Sequence, residues 1–337
     1  MLSQQDIDKI DTEKMYSAYE IWPDLAKKHF ENNDKELCLS NIDHFIFAGM
    51  GGSGTLGDVF GSIMSKTDVH VSVVKGYQLP KTTDENTLVV CTSVSGNTVE
   101  TMSILEQVKK NNLKSISFSS GGRIRNYCEQ NGLEYRFIKE NHSPRASFPT
   151  FLFTMLKVLK PMLPIKDSDI IESINNLEKT WKNISIQNLT EKNPALSLAR
   201  WIKGIPIIYY PFGLGSSAIR FRNCLQENTK THAIIEDIVE TSHNGIVAWE
   251  KQSDLQPILL RGLDDSIKTS ERYEIFKQYF EERDIDYKEV FSVQGDIISK
   301  IINLIYFFDY TSIYLAYLRG IDPTPVNSID FIKSKIR

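Results

Sequence analysis

Residues Thr87–Thr101 predict a strand that runs directly into a hydroxyl-rich turn and then into a helix. Their sequence is T-L-V-V-C-T-S-V-S-G-N-T-V-E-T, in which five strand-type residues precede the turn and a helix is expected from about Thr98. A turn of this kind directs backbone N–H groups and the positive end of the helix dipole toward one point. Ser93 and Ser95 add hydroxyl groups to that of Thr98, and Gly96 lets the backbone come close. The segment therefore predicts a cradle for a phosphate monoester.

Most turns rich in serine, glycine and asparagine bind nothing, so the position of this turn decides its interpretation. It follows a buried-looking strand, and ligands of open α/β sheets bind at the carboxyl ends of the strands. The turn also lacks the lysine of a nucleotide-binding P-loop. The sequence therefore favours a small phosphorylated metabolite over ATP, with a plain turn as the alternative.

Short apolar strands alternate with helical segments along most of the chain. The expected strands lie at residues 45–48, 69–74, 87–91, 115–119, 134–138, 205–210, 232–236, 257–261 and 287–293. Such alternation indicates parallel sheets covered by helices on both faces. Each half contains a strand, a glycine loop, a helix and another strand in that order. We therefore predict two doubly wound parallel-sheet α/β domains, each a three-layer α-β-α sandwich.

The length of 337 residues allows two domains with ample core. We expect an N-terminal helical segment at residues 1–40 and a first domain, with the phosphate cradle, at residues 41–160. A polar helical connection is expected at residues 161–195. The second domain, with a C-terminal helical tail, then occupies residues 196–337.

The composition is that of a soluble globular chain and argues against several classes of partner. Hydrophobic residues make up 41% and charged residues 24%, and the net charge is −4 without a long basic run. This balance does not favour nucleic acid as a partner. The four cysteines form no C-x-x-C pair, and the six histidines show no ligand spacing. We therefore expect buried thiols in a reducing compartment and no metal site.

No segment is expected to cross a membrane. The N-terminus, M-L-S-Q-Q-D-I-D-K-I, carries early acids rather than an apolar signal core. The most apolar stretches, around residues 148–159 and 301–308, are too short for a transmembrane helix or are interrupted by Lys157. A cytoplasmic location is the default expectation.

A glycine loop follows the first expected strand, and it has two interpretations. Residues 49–54 contain G-x-G-x-x-G, which in dinucleotide-binding proteins is followed by an acid at the end of the second strand. The chain has no acid there, although Lys75 could meet the 2′-phosphate of NADP. We favour the alternative, in which Gly51, Gly52 and Ser53 line the sugar or the phosphate beside the serine-rich turn.

Three further side chains are candidates for chemistry. Arg145, in S-P-R-A after a strand, could stabilise an anion or could be a surface arginine that caps the next helix. Glu227 lies near a helix end in N-C-L-Q-E-N-T-K, where a solvated glutamate is the ordinary alternative. His243 lies in the loop T-S-H-N-G, where a turn residue is the ordinary alternative. The residues alone leave these alternatives open.

Six motifs occur in order along the chain from about Phe45 to the C-terminus. They are G-M-G-G-S-G, S-x-S-G-N-T-x-E, P-R-A, E-N-x-K, H-N and R-G-I-D-P-T-P-V. Their order and spacing resemble the bifunctional phosphoglucose/phosphomannose isomerases, which are built from two sugar-isomerase (SIS) domains. Val94 departs from this pattern, because an aromatic residue is common between the two serines. We expect the Val94 side chain to point away from the cradle.

The resemblance implies an aldose–ketose isomerisation that needs no metal and no redox cofactor. Glu227 matches the family carboxylate that moves a proton between C1 and C2 through a cis-enediolate, and Arg145 would stabilise the enediolate charge. His243 matches the histidine of ring opening, which the second subunit of a homodimer contributes in related enzymes. Lys333 is the best match for an assisting lysine, with Lys335 as the alternative. The phosphate would be held by Ser53, Ser93, Ser95 and Thr98.

Two other functions are compatible with SIS domains. A non-catalytic sugar-phosphate-binding regulator is disfavoured, because the sequence shows no DNA-binding helix-turn-helix and no basic patch. Another SIS phosphosugar isomerase, such as the isomerase half of an amidotransferase that makes glucosamine 6-phosphate, is disfavoured because no glutaminase segment precedes the first strand.

Overall fold

The structure is a computed structural model that describes residues 2–336. Its strands are β1 (His44–Ala48), β2 (His70–Val74), β3 (Thr87–Ser93), β4 (Lys114–Ser119), β5 (Glu134–Phe137), β6 (Ile205–Tyr210), β7 (Ile234–Asp237), β8 (Leu255–Arg261) and β9 (Lys288–Phe291). Its α-helices are α1 (Gln4–Ile10), α2 (Met15–Glu20), α3 (Trp22–Phe30), α4 (Gly51–Met64), α5 (Val99–Lys110), α6 (Gly122–Asn131), α7 (Phe148–Leu159), α8 (Asp167–Ile184), α9 (Pro194–Trp201), α10 (Gly215–Thr229), α11 (Ile238–Thr241), α12 (Ile267–Glu281), α13 (Ile297–Leu318) and α14 (Asn327–Lys335).

The described chain divides into two compact units that are not continuous in sequence. The first unit contains residues 21–176 and 295–301. The second unit contains residues 2–20, 177–294 and 302–336. The helices α1 and α2 therefore belong to the unit that holds the later strands, although they precede the first strand in the chain.

Each unit is built on one parallel sheet. The strand order is β2-β1-β3-β4-β5 in the first unit and β7-β6-β8-β9 in the second. Every neighbouring pair is parallel, and parallel neighbours require crossover connections, which are usually helical. The predicted fold class, two α/β domains on parallel sheets, is confirmed. The first four strands of each unit also follow the same order, in agreement with the predicted pseudo-repeat.

The two central strands of the first sheet carry the loops of greatest interest. Every residue of β1 and β3 is buried, as expected for strands covered on both faces. A buried apolar cluster packs β1 and β3 against α5 and α6, and each large side chain in it contributes about 1.5–3 kcal/mol. Its members are Ile46, Ala48, Val89, Cys91, Met102, Ile104, Leu105, Val108, Ile124 and Cys128. Because Ala48 lies opposite Cys91, the loops that follow the two strands begin side by side.

The sequence predicts a helix at residues 296–318, and α13 forms there with its start at Ile297. By length and composition α13 could cross a bilayer, although the apolar stretch at residues 301–308 alone is too short. However, 89% of its most apolar window is buried inside the protein, which is typical of a core helix.

The cysteines follow the expectation in three cases out of four. Cys91, Cys128 and Cys224 are buried thiols, but Cys38 is exposed. Burial raises the pKa of the Cys128 thiol, so it stays neutral at ordinary pH.

Candidate functional site

The hydroxyl-rich turn lies between β3 and α5, at the carboxyl end of the first sheet. Ser93 is buried, and its Oγ lies 2.8 Å from the Oγ1 of Thr98. Thr98 is the N-cap residue of α5, and its side chain makes no cap bond. The same Ser93 oxygen accepts the N–H of Gly96 at 3.1 Å. Ser95 is exposed, and its Oγ accepts the N–H of Asn97 at 3.3 Å. Because Ser93 and Thr98 share one hydrogen bond, one of their two protons remains available for a ligand at the helix start.

Gly96 is required at its position in the turn. Its φ is +67°, and a Cβ there would lie 1.9 Å from the carbonyl oxygen of Gly121. The loop after β4 therefore packs directly on the turn. Ser120 strengthens this contact, since its Oγ donates to the carbonyl of Val94 at 2.6 Å. Val94 itself is buried.

The glycine loop after β1 lies against the same strand end. The helix α4 begins at Gly51, so Gly51, Gly52 and Ser53 form its first turn. The N–H of Ser53 donates to the carbonyl of Met50 at 3.0 Å, whereas the first N–H groups of a helix otherwise lack intrahelical acceptors. A Cβ on Gly49 would lie 2.9 Å from the carbonyl oxygen of Thr92 and 2.9 Å from the backbone of Ser53. The structure therefore brings the start of α4 and the end of β3 together, as the sequence analysis predicts.

The remaining glycine of G-x-G-x-x-G has a packing role. A Cβ on Gly54 would lie 2.8 Å from the carbonyl oxygen of Gly49 and 3.1 Å from the Lys75 side chain. The ammonium of Lys75 pairs with Asp58 of α4 at 2.6 Å. Lys75 therefore has a carboxylate partner, which removes the observation that favoured a 2′-phosphate ligand there.

Arg145 lies in the loop between β5 and α7, at the same carboxyl edge of the sheet. It is only 5% exposed, so the alternative of a surface arginine is wrong. The helix α7 begins with Ser147 as its N-cap and without a side-chain cap bond. Ser147 instead closes the loop, because its Oγ accepts the N–H of Asn141 at 2.8 Å and donates to the carbonyl of Ser143 at 2.9 Å. Arg145 is therefore a buried cation on an internally bonded loop.

In the second unit, Glu227 lies in the last turn of α10 and is half-buried. The same helix is anchored to α13 by a buried ion pair, in which Arg220 lies 2.6 Å from Asp309. It is anchored again where Asn228 donates to the Oγ of Ser312 at 2.8 Å. The helix that carries Glu227 is therefore bonded to α13 by residues close to Glu227, and Glu227 does not lie in bulk water.

His243 and Lys333 are both exposed. His243 follows α11, and its backbone N–H donates to the carbonyl of Glu240 at 2.9 Å. Lys333 and Lys335 lie in the last turn of α14. The ammonium of Lys335 lies 5.7 Å from the ring centroid of Phe331, while Lys333 contacts no polar partner among the described residues. This difference favours Lys333 as the lysine that is available to a ligand.

A groove of about 250 Å³ lies beside His243 in the second unit. It is lined by Ser242, Ile246, Arg272, Ile275, Phe276 and Tyr279. Exposed apolar side chains continue this surface, with Val247 at 57% and Ile275 at 63% exposure. A larger cavity of about 410 Å³ lies between α8, α9, β9 and α13, and none of the candidate residues lines it.

One contributor to the site region was missed at the level of sequence. The loop of Ser119–Gly122 supports the hydroxyl turn, because the Oγ of Ser119 donates to Gly121 and Ser120 donates to Val94. A signal was present, since S-S-G-G directly follows the expected strand at residues 115–119. Serine and glycine at a strand exit indicate a turn but do not reveal which neighbouring turn it supports.

Comparison with known proteins matches both halves of the chain. A family model described as the bacterial phospho-glucose isomerase C-terminal SIS domain matches residues 191–336, and one described as the SIS domain matches residues 38–130. The chain is 31% identical to the bifunctional phosphoglucose/phosphomannose isomerase of Caldicellulosiruptor bescii, over 95% of this chain and 98% of that protein. Identity to the Aquifex aeolicus enzyme of the same name is 28%, over 96% and 97% of the two chains.

A solved structure agrees with these matches at the level of fold. A hypothetical protein from Thermus thermophilus superposes with a TM-score of 0.73 at 14% identity, over 98% of this chain and 92% of that one. The two SIS matches and the full-length similarity at 31% identity agree with the motif order in the sequence. This chain belongs to the bifunctional phosphoglucose/phosphomannose isomerase family.

Proposed function

We propose that this protein interconverts glucose 6-phosphate, and mannose 6-phosphate, with fructose 6-phosphate through a cis-enediolate. The observation that carries the proposal is the joint placement of the hydroxyl turn and the start of α4 at one sheet edge, in a chain of this family. These interconversions are steps of glycolysis and gluconeogenesis, which fits a cytoplasmic enzyme.

The phosphate is held by hydroxyl and backbone N–H groups of the first unit. Ser53, Ser93, Ser95 and Thr98 supply hydroxyls, and the helix starts at Gly51 and at Thr98 supply N–H groups and dipoles. A dianionic phosphate monoester needs several donors and no metal in such a cradle. Ser95 is exposed, which supports a hydrogen bond from its hydroxyl to a ligand that arrives from solvent.

Proton transfer is assigned to Glu227. A carboxylate that removes a proton from C2 and returns it to C1 must be shielded enough to act as a base and open enough to reach substrate. The half-burial of Glu227 on an anchored helix supports this role. Arg145, buried at a strand exit, is assigned to stabilise the negative charge of the enediolate. Lys333 is assigned to assist at the sugar oxygens.

His243 is assigned to ring opening in a homodimer, to which a second copy of the chain contributes its histidine. Two features support this assignment. His243 is exposed on its own chain, and it borders an apolar groove and exposed isoleucine and valine side chains. Exposed apolar patches of this kind mark protein interfaces.

The test is a coupled assay with fructose 6-phosphate as substrate. Glu227→Gln should lose on the order of 10²–10⁴-fold in kcat, because a general base contributes about that much. Glu129→Gln is the matched control, since Glu129 is an exposed glutamate on α6 that pairs with Arg125. Near-normal turnover by the Glu227 variant would remove that residue from the mechanism. Tight sugar-phosphate binding by the wild-type protein without turnover would instead support a regulator.

A further inference from the structure

Two of the motifs meet in the second unit at a single lysine. The ammonium of Lys230, the last residue of E-N-x-K, donates to the carbonyl of Glu227 at 2.6 Å. It also donates to the carbonyls of Asp322 and Pro323, both at 3.4 Å. Asp322 and Pro323 belong to R-G-I-D-P-T-P-V, the segment of residues 319–326 that we call the C-terminal loop. One side chain therefore joins the end of α10 to this loop.

The backbone places Lys230 in this position. Lys230 ends α10 in a left-handed conformation with φ of 56°, and its N–H donates to the carbonyl of Leu225. The last carbonyls of a helix lack backbone donors and carry the negative end of the dipole. A lysine ammonium has three protons, so it can satisfy the Glu227 carbonyl and two loop carbonyls together. The left-handed turn brings the ammonium back over the helix end.

The C-terminal loop is itself held by several hydrogen bonds, so Lys230 bonds to an ordered segment. The Asp322 carboxylate accepts the N–H of Thr324 at 2.9 Å and the hydroxyl of Thr12 at 2.7 Å. Arg319 donates to the hydroxyl of Thr231 and to the carbonyl of Lys203. The loop also connects α13 to α14, the helix that carries Lys333.

We propose that Lys230 is a positioning residue for the isomerase reaction, because it fixes the last turn of α10 and with it the direction of the Glu227 side chain. The inference rests on the proposed function of Glu227. Glu227 lies two residues from the end of its helix, where helices fray, and Lys230 adds its bonds there to the one that Asn228 makes with Ser312. A displacement of about 1 Å at a reacting group costs up to about 10²-fold in rate. Lys230 does not touch substrate in this account; it acts through the Glu227 backbone.

The kinetic test compares Lys230→Met with Lys230→Arg. The methionine variant should lose on the order of 10–100-fold in kcat, with KM changed by less than about threefold, because binding groups stay in place. The arginine variant should recover at least half of that loss on a logarithmic scale, since a guanidinium also donates to carbonyl oxygens. Lys14→Met is the matched control, because Lys14 is an exposed lysine with φ of 54°. A large rise in KM at unchanged kcat would indicate substrate contact and would overturn the proposal.

Hydrogen exchange gives a readout that does not depend on activity. In Lys230→Met, amides of residues 225–231 and 319–326 should exchange faster, while those of β6 and β8 stay as in the wild type. Unchanged exchange in both segments would show that Lys230 does not hold the end of α10 to the C-terminal loop. Faster exchange at wild-type kcat would show that this contact does not position Glu227. If Lys230→Met exchanges faster but the wild-type protein has no isomerase activity, the contact between Lys230 and the C-terminal loop is supported and the proposed function is rejected. If Lys230→Met does not fold, the same measurements on Lys230→Arg decide, and a wild-type exchange pattern with wild-type kcat supports the proposal.

Discussion

At the scale of the residue, the candidate phosphate site depends on positions that only glycine can occupy. Gly96 has φ of +67°, and its Cα faces the carbonyl of Gly121. Gly49 faces the carbonyl of Thr92 in the same way, at 2.9 Å from an added Cβ. The first contact lets the loops after β3 and β4 approach closely, and the second does the same for the loop after β1 and the end of β3. Hydroxyl and N–H donors from both turns can then reach one small anion.

We therefore expect Gly96→Ala to be strongly destabilising. A left-handed alanine costs about 1 kcal/mol, and the overlap with the backbone of Gly121 adds roughly 2 kcal/mol or more of strain. The control is Gly132→Ala, which has φ of +66° but open space around the added Cβ. Urea unfolding should show a loss of about 3 kcal/mol or more for Gly96→Ala and about 1 kcal/mol for the control. Equal losses for the two variants would show that the contact with Gly121 is unimportant.

At the scale of the element, the sequence predicts the strands and several helices, but it misses one helix and the partners of the N-terminal helices. The expected strand at residues 205–210 and helix at residues 148–159 have those bounds in the structure, because apolar runs bounded by proline or glycine are local signals. The helix α6 was not expected, since its polar sequence G-R-I-R-N-Y-C-E-Q-N buries only Ile124 and Cys128. The N-terminal segment, which the sequence predicts to be helical, forms three separate helices. The elements against which these helices pack could not be predicted, because packing between distant segments leaves no periodic signal in the local sequence.

The candidate residues show the same difference between local signals, which the sequence predicts, and contacts between distant segments, which it does not. The hydroxyl turn and the start of α4 were predicted to lie together, because adjacent parallel strands bring their carboxyl ends to one edge. The bonds of Lys230 were not predictable, because its ammonium meets a loop that lies 92 residues further along the chain. Lys230 is one residue of a recognised motif, but the motif does not tell which carbonyls its ammonium meets.

The pairing of β1 with the edge strand β2 leads to a prediction about pH. His44 and His70 lie opposite each other, and the Nε2 atoms of both rings contact the Ser72 hydroxyl, at 2.9 and 3.2 Å. Burial, and then the charge of His70, lower the pKa of His44 from 6.5, while Asp84, Asp43 and the backbone of Thr82 oppose the shift. The unfolded chain therefore binds more protons than the folded chain just below pH 6.5, so the free energy of unfolding falls as pH drops through that range.

His70→Gln isolates this contribution. The variant removes the neighbouring positive charge, so the pKa of His44 should rise toward 6.5 and the pH dependence of unfolding should become shallower. The measurements are an NMR titration of the His44 ring and urea unfolding between about pH 5 and pH 7. A His44 ring that titrates above 6.5 in the wild type would contradict the stated direction.

At the scale of the whole molecule, the two sheets share a strand order but differ at equivalent loops. The strand β8 holds the position in the second sheet that β3 holds in the first. Its loop, G-L-D-D-S after Arg261, carries carboxylates instead of clustered hydroxyls, and Asp265 accepts the N–H of Gly262 at 3.0 Å. A carboxylate thus takes an N–H group that an anion would need. The phosphate cradle is therefore expected in the first unit.

The proposed homodimer gives a prediction at the same scale. Ile275 lines the groove beside His243 and is 63% exposed, so Ile275→Glu should place a charge in the subunit interface. Light scattering should show the mass of one chain, 38.6 kDa, for Ile275→Glu and twice that mass for the wild type. Activity should fall with dissociation, because His243 would come from the partner. Ile171→Glu, at 50% exposure on α8, should leave mass and activity unchanged. An active monomer would contradict the assignment of His243.

The central claim is that the serine-rich turn binds the phosphate while Glu227 moves a proton on the bound sugar. A crystal structure with 5-phosphoarabinonate, which mimics the enediolate, tests it most directly. The account predicts phosphate oxygens within hydrogen-bond distance, about 2.6–3.2 Å, of Ser95 and Thr98, with the Glu227 carboxylate beside the carbons that correspond to C1 and C2. A phosphate bound elsewhere, or a Glu227 side chain directed into solvent, would contradict it.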